Sequence, residues 1–195
     1  MMYSYRIEQA IRAAGALHNG QTRKGRIPYP YVTHSFSVAC IIADYTDDED
    51  TIVAGLLHDT TEDTGYTFAE LAEDFGTAVC TIVREVTMPP VKDGRDAWKE
   101  RHAQYVSQLK DAGDQALIVA AADKIHNMRS TIEEYHDDRP RFARDFGGTE
   151  EERMAIYQSI SNILNSRLEN DIIHEFNHVF DEYKKFIYAA KENHA

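Results

Sequence analysis

The sequence predicts an all-α protein. Three observations carry this: apolar residues recur at helical spacing almost throughout, two stretches open with a capping box, and no segment shows the two-residue alternation of a strand. Ile7, Ala10, Ile11, Ala14 and Leu17 fall on one face of a first helix. Gly20, Gly25, Pro28 and Pro30 then break the pattern, and Arg23, Lys24 and Arg26 make the same stretch a positively charged loop. A second helix is expected over 32–43. The run Asp47-Asp48-Glu49-Asp50 places carboxylates where the next helix starts, complementing its dipole. That helix continues as Ile52-Val53-Ala54-Gly55-Leu56-Leu57, apolar on every side and therefore expected to be buried. Thr67 with Glu70, and Thr149 with Glu152, each read as a capping box. Between them, 78–86, 98–110 and 115–131 are expected to be helical. Two long helices follow, one marked by Met154, Tyr157, Ile160 and Leu164, the other by Ile172, Ile173, Phe176, Val179, Phe180, Tyr183, Phe186 and Ile187. Residues 88–96, with their Pro-Pro, and 137–148 are expected to be mobile connections.

The 195 residues suit a single domain, expected over 1–195, and 43% hydrophobic residues are enough to fill its core. A formal net charge of −12 argues against a nucleic-acid partner, because phosphate contacts need a basic surface. It leaves an anionic small molecule open, since such a ligand responds to local charge. Cys40 and Cys80 lie too far apart for a Cys-type metal site and too few for a disulfide framework, which fits a cytoplasmic protein. The first residues lead into an amphipathic pattern rather than a signal peptide, and no apolar run approaches the roughly 18–20 residues that span a bilayer. No membrane partner is expected. The apolar faces of the last two helices suit either internal packing or a homo-oligomer.

The chemistry-bearing residues begin with His58-Asp59, placed where the all-apolar helix ends. A polar pair after six buried residues is costly to desolvate unless something compensates it, and a bound cation would. Glu62 and Asp63 lie one helical turn further on. A His-Asp pair by itself would read as part of a solvated acidic loop. However, Asp123 also ends a buried run, Leu117-Ile118-Val119-Ala120-Ala121-Ala122, and His34 sits among Val32, Phe36 and Val38. Together, His34, His58, Asp59 and Asp123 form a two-imidazole, two-carboxylate set that suits Mn²⁺, Fe²⁺ or Zn²⁺. Asn127 falls at i+4 from Asp123, and Arg129 follows. Beside a metal, Arg23, Lys24 and Arg26 read as a phosphate clamp; elsewhere they would be a solubilising loop.

These residues resemble a known family. His34, His58-Asp59 and Asp123 match the H…HD…D signature of the HD metal-dependent phosphohydrolases. The nearer resemblance is to the hydrolase domain of RelA/SpoT proteins and the stand-alone small alarmone hydrolases. It rests on the run from Ala16 to Lys24, Pro28-Tyr29, His34, the run from His58 to Thr64, and Ala122-Asp123-Lys124-Ile125-His126-Asn127-Met128-Arg129, and extends more weakly through Trp98-Lys99-Glu100-Arg101. The resemblance implies a compact multi-helix HD-domain fold around a single metal site. His34, His58, Asp59 and Asp123 would hold Mn²⁺ or another divalent transition metal. Glu62 and Asp63 would be the catalytic acidic pair, and Arg23, Lys24, Asn127 and Arg129 would contact a nucleotide. It implies a hydrolase-only protein that removes the 3′-pyrophosphate of (p)ppGpp, giving GDP or GTP and pyrophosphate. Two side-by-side carboxylates would share a proton, one serving water and the other the leaving group.

The alternatives are another nucleotide substrate, such as the 2′-phosphate of NADPH or a nucleoside phosphate, and a silent nucleotide- or partner-binding helical module. The complete set of six acidic and imidazole groups argues against the silent module. Departures from the family pattern are Ser35, Thr60-Thr61, Met88-Pro89-Pro90 and His102, which stands where Lys is common. None is a metal ligand, but the 88–97 loop bears on substrate identity. Tyr157 is expected to pack in the core. His174-Glu175-Phe176-Asn177-His178 fits the zinc-protease pattern H-E-x-x-H, but Asp181 and Lys184 stand where the metzincin extension needs Gly and His. Glu192 or His194 would be improvised as third ligand, so this motif is expected to be an ordinary helix.

Overall fold

The computed structural model describes residues 3–91 and 96–192. These residues form helices α1 (Tyr5–Leu17), α2 (Val32–Ala43), α3 (Glu49–Leu57), α4 (Thr60–Asp63), α5 (Phe68–Phe75), α6 (Thr77–Val86), α7 (Ala97–Leu109), α8 (Asp114–Tyr135), α9 (Arg139–Asp145), α10 (Glu150–Arg167) and α11 (Ile172–Glu192). Among the described residues there is no sheet, only an isolated bridge between Thr22 and Pro30 that pins the basic loop. The all-α expectation holds.

Side chains set the helix starts. Ser4 accepts from the Ile7 N–H, and Asp48 from the Thr51 N–H, at the heads of α1 and α3. Both expected capping boxes are complete, Thr67 with Glu70 and Thr149 with Glu152. Each such cap satisfies an orphan N–H and contributes about 1 kcal/mol.

Two helices occupy the centre. Residues 51–57 of α3 are all buried, as are 116–123 of α8. The first of these packs against α1, α2, α6 and α8, the second against α2, α3, α6 and α11. Burying each large aliphatic side chain there contributes roughly 1.5–3 kcal/mol. Close approach of α2 and α3 depends on Gly55, where a Cβ would collide with Ile42 Cδ1. The buried apolar residues, from Ile7 to Ile187, belong to one cluster.

The structure corrects the reading of 137–148 as a mobile connection. It contains α9, whose start is capped by Asp138 on the Arg141 N–H with Pro140 in the first turn, and whose Phe142 is buried. Helix α8 also runs one turn beyond the expected end at Thr131. Of the other expected mobile stretch, 92–95 lie outside the described residues. Cys40 and Cys80 are free. No helix among the described residues is long and apolar enough to cross a membrane.

Candidate metal centre and adjoining cavity

Four helices bring the four expected ligands together. Helix α2 carries buried His34 in its first turn, α3 ends on buried His58, Asp59 begins α4, and the buried stretch of α8 ends on Asp123. His58 Nε2 lies 3.0 Å from Asp59 Oδ2 and 3.8 Å from Asp123 Oδ1. His34 Nε2 lies 3.4 Å and 3.2 Å from the same two oxygens. Donors at 2.0–2.2 Å from one ion sit about 3 Å apart in adjacent positions, so this spacing is that of a coordination shell.

The donor chemistry fits a cation. The His58 Nδ1–H donates to the Gly55 carbonyl at 2.8 Å, so Nε2 is the nitrogen that faces Asp59 and Asp123. With the Nε2 proton displaced by a cation, that is the tautomer a metal ligand needs. Burial alone would lower the His58 pKa, but the Asp59 and Asp123 carboxylates raise it to about 9. Burial likewise opposes ionisation of Asp59 and Asp123, yet neighbouring positive groups hold both well below the usual carboxylate range. The pocket therefore holds negative charge that calls for positive charge at its centre.

A further layer orients the ligands. The Tyr31 hydroxyl donates to Asp59 Oδ2 at 2.6 Å, and Lys124 Nζ donates to Asp123 Oδ2, also at 2.6 Å. His34 Nδ1 is 2.8 Å from His126 Nδ1. Burial, then His34 and Arg23, push His126 down to about 3, so its neutral ring can accept the His34 N–H and free His34 Nε2 for a metal. Asn127 donates to Asp123 Oδ1 and accepts from Arg23 Nη2 at 2.7 Å.

Glu62 lines this pocket of about 120 Å³. It accepts from the Met88 N–H at 3.0 Å and from Arg101 at 2.6 Å. Burial raises its pKa in spite of those two donors. Burial and the Asp59 charge raise Asp63 as well. Glu62 turns to Arg101 and Met88, and Asp63 is the more exposed of the two acids.

A second cavity of about 390 Å³ opens beside the first, and Tyr31, Lys124 and Asn127 line both. Arg23, Lys24, Lys124 and Arg153 supply its positive charge, and Trp98, Tyr135, Phe142, Phe146, Tyr157 and Tyr183 its aromatic wall. Arg23 and Lys24, expected to contact a nucleotide, both line this cavity. Lys24 Nζ donates to the Asp145 carbonyl at 2.7 Å, which ties the basic loop to α9. Tyr157 packs near Tyr183, their centroids 5.0 Å apart, and also lines the cavity rather than serving the core alone.

Arg129 is the misplaced candidate. It pairs with Glu175 on α11 and lines neither cavity. Six residues beyond Asp123, it is rotated by about 240° around α8, on the far side from the site. The H-E-x-x-H motif serves this packing: Glu175 also accepts from the Tyr45 hydroxyl, His178 is exposed beside Glu182, and His34, His58 and Asp59 are the group of possible metal ligands among the described residues. His194 lies outside them.

Several residues beside the site have no role in the sequence reading, although His18, Gln21 and His126 lie within its motifs. Tyr31 sits one helical turn before His34, and His126 one turn after Asp123, so turn spacing was a usable signal; instead Pro28-Tyr29 drew attention, and Tyr29 is exposed. His18 is buried and stacks on Tyr31 at 4.8 Å, and its Nδ1 is 2.8 Å from Gln21 Oε1. Gln21 in turn donates to the Asp63 carbonyl at 2.8 Å, fastening the basic loop to α4.

Known proteins share this arrangement. Residues 10–164 match the family model described as HD domain. The chain is 36% identical over 143 residues to the bifunctional (p)ppGpp synthase/hydrolase SpoT of Escherichia coli K12, covering 72% of this chain and 20% of SpoT. It is 37% identical over 124 residues to the guanosine-3′,5′-bis(diphosphate) 3′-pyrophosphohydrolase MESH1 of Danio rerio, covering 62% and 66%. The chain spans 14–20% of the length of several curated relatives. A solved structure of a metazoan ortholog of SpoT, described as hydrolysing ppGpp, superposes with a TM-score of 0.76 at 26% identity, covering 93% of this chain and 97% of that one. An HD domain implies a divalent metal, for which His34, His58 and Asp59 are potential ligands. With the helical frame, the ligand shell and the family model in agreement, the chain belongs to the HD domain family.

Proposed function

We propose that the protein is a Mn²⁺-dependent hydrolase that removes the 3′-pyrophosphate of (p)ppGpp, giving GDP or GTP and pyrophosphate, and that residues 1–195 make one such catalytic domain. The observation that carries this reading is the joined pair of cavities: a ligand shell on one side, a cationic and aromatic chamber on the other, with Tyr31, Lys124 and Asn127 at the junction. A nucleotide with phosphate on its 3′ side would place its base and ribose in the chamber and its pyrophosphate at the shell. The names of the SpoT and MESH1 relatives support the same substrate. Free Cys40 and Cys80 support a cytoplasmic setting.

His34, His58, Asp59 and Asp123 would hold the ion. When bound, it lowers the pKa of a water molecule and polarises a phosphoryl oxygen. In the reaction, the water oxygen bonds to the phosphorus next to the ribose 3′ oxygen, and the bond from that phosphorus to the 3′ oxygen breaks. Glu62, raised by burial and fixed by Arg101 and Met88, takes the proton from water. Asp63, likewise raised, returns a proton toward the leaving 3′ oxygen. Arg23 and Lys24 neutralise phosphate charge, and Asn127 holds Arg23 in place.

The test is a Mn²⁺-dependent assay with ppGpp, and with NADPH and a nucleoside monophosphate in parallel, the products being separated by ion exchange. Pyrophosphate and GDP formed only from ppGpp, and lost on chelation, are the expected result. Phosphate release from one of the other substrates with ppGpp intact would overturn the substrate and keep the hydrolase.

A further inference from the structure

Its hydroxyls aside, the aromatic chamber is rich in donors and poor in acceptors. Arg23, Lys24, Lys124 and Arg153 line it, and no carboxylate does among the described residues. Asn127 Oδ1 is already taken by Arg23. What remains among ring and amide acceptors is His102. Its Nδ1 lies 2.7 Å from the Trp98 carbonyl, which can only accept, so Nδ1 carries the hydrogen. Burial, together with Lys124 and Arg101, disfavours a second proton, which leaves Nε2 an open lone pair.

The ring is also held still. His102 lies on the Trp98 indole with centroids 4.1 Å apart. Trp98 in turn rests on Gly147-Gly148, where an added Cβ would come within 2.8 Å and 2.6 Å of indole carbons. Arg153 Nη1 donates to the carbonyls of Phe146, Gly147 and Gly148 at 3.2, 2.6 and 2.8 Å, fastening that loop from behind. An acceptor fixed in advance loses little freedom on binding and therefore discriminates well.

We propose that His102 Nε2 is a specificity-determining acceptor for the donor edge of guanine, its N1–H and 2-amino groups. This rests on the nucleotide reading above and deepens it. The cations of the chamber suit phosphates and the acceptor atoms of a purine. A guanine donor edge needs a lone pair; the hydroxyls that line the chamber can donate as well as accept, whereas Nε2 of neutral His102 can only accept. Adenine presents an acceptor at N1 and would face that lone pair with repulsion.

The experiment is calorimetric titration of the Mn²⁺-loaded protein with GDP and with ADP, using wild type, His102→Phe, His102→Leu and His102→Gln. Wild type is expected to bind GDP about tenfold more tightly than ADP, the scale of one hydrogen bond gained and one repulsion avoided. The preference should fall to within about twofold in His102→Phe and His102→Leu, and largely persist in His102→Gln, whose amide oxygen can accept. Equal binding of GDP and ADP by wild type, binding of neither, or a full preference in a folded Phe or Leu variant would overturn the proposal. Hydrolysis of ppGpp is measured on the same samples. Selective GDP binding with ppGpp left intact removes the hydrolase reading and keeps the role of His102; hydrolysis without base preference does the reverse.

Discussion

The two cavities touch, yet they are built in opposite ways. The candidate metal pocket is small and polar, and its walls come from the start of α2, the junction of α3 with α4, the end of α6, Tyr105 of α7 and the middle of α8. Of the candidate ligands, His58, Asp59 and Asp123 stand where buried apolar stretches end and His34 lies in the first turn of α2, and Tyr31, Lys124, His126 and Asn127 form a second layer around them. The chamber is three times larger and is assembled from pieces far apart in the chain: the basic loop, α7, α8, α9, α10 and one tyrosine of α11. On the proposed reading, reactivity would be concentrated in a few positions and selectivity spread over elements that meet only in the fold.

The comparison can be broken at its strongest point by Asp123→Ala. Metal content and hydrolysis should vanish together, because one ligand goes and Lys124 loses its buried partner; elemental analysis with a ppGpp assay reads both. Retained metal would remove Asp123 from the shell. Next in size, Glu62→Gln should keep the metal and lower kcat by about 10²-fold, the usual scale for a lost acid or base; unchanged turnover would free Glu62 of that role. Gly147→Ala tests the other region. Its Cβ would press on the indole of Trp98 without forcing a left-handed backbone, so KM should rise several-fold at unchanged metal content. The smallest effect belongs to Arg129→Ala. Its half-exposed ion pair with Glu175 is worth about 0–1 kcal/mol, and KM should not move. A raised KM there would return Arg129 to the site.

Much of this was legible in the residues alone. Helices with a sustained apolar face were readable because burial imposes their period, and the meeting of His58, Asp59 and Asp123 was readable because polar groups ending buried runs need compensation. Helix α9 was not, since seven residues with Phe142 turned inward are too few to show a period; Asp138 and Pro140 were its only signals. Arg129 lands away from both cavities because neighbours in a motif diverge around a helix. The chamber was invisible for a different reason. Trp98, Phe142, Tyr157 and Tyr183 each look like ordinary core residues, and only packing shows that they surround a space.

The hold of Arg153 on three consecutive carbonyls has a consequence for how such a protein can be altered. Main-chain oxygens are the same whatever side chain a residue bears, so this rivet reads position and not identity. A designer could vary Phe146, which lines the chamber, and reshape the wall while the loop stays fastened. The glycines beside it are the exception, because their value lies in the side chains they lack.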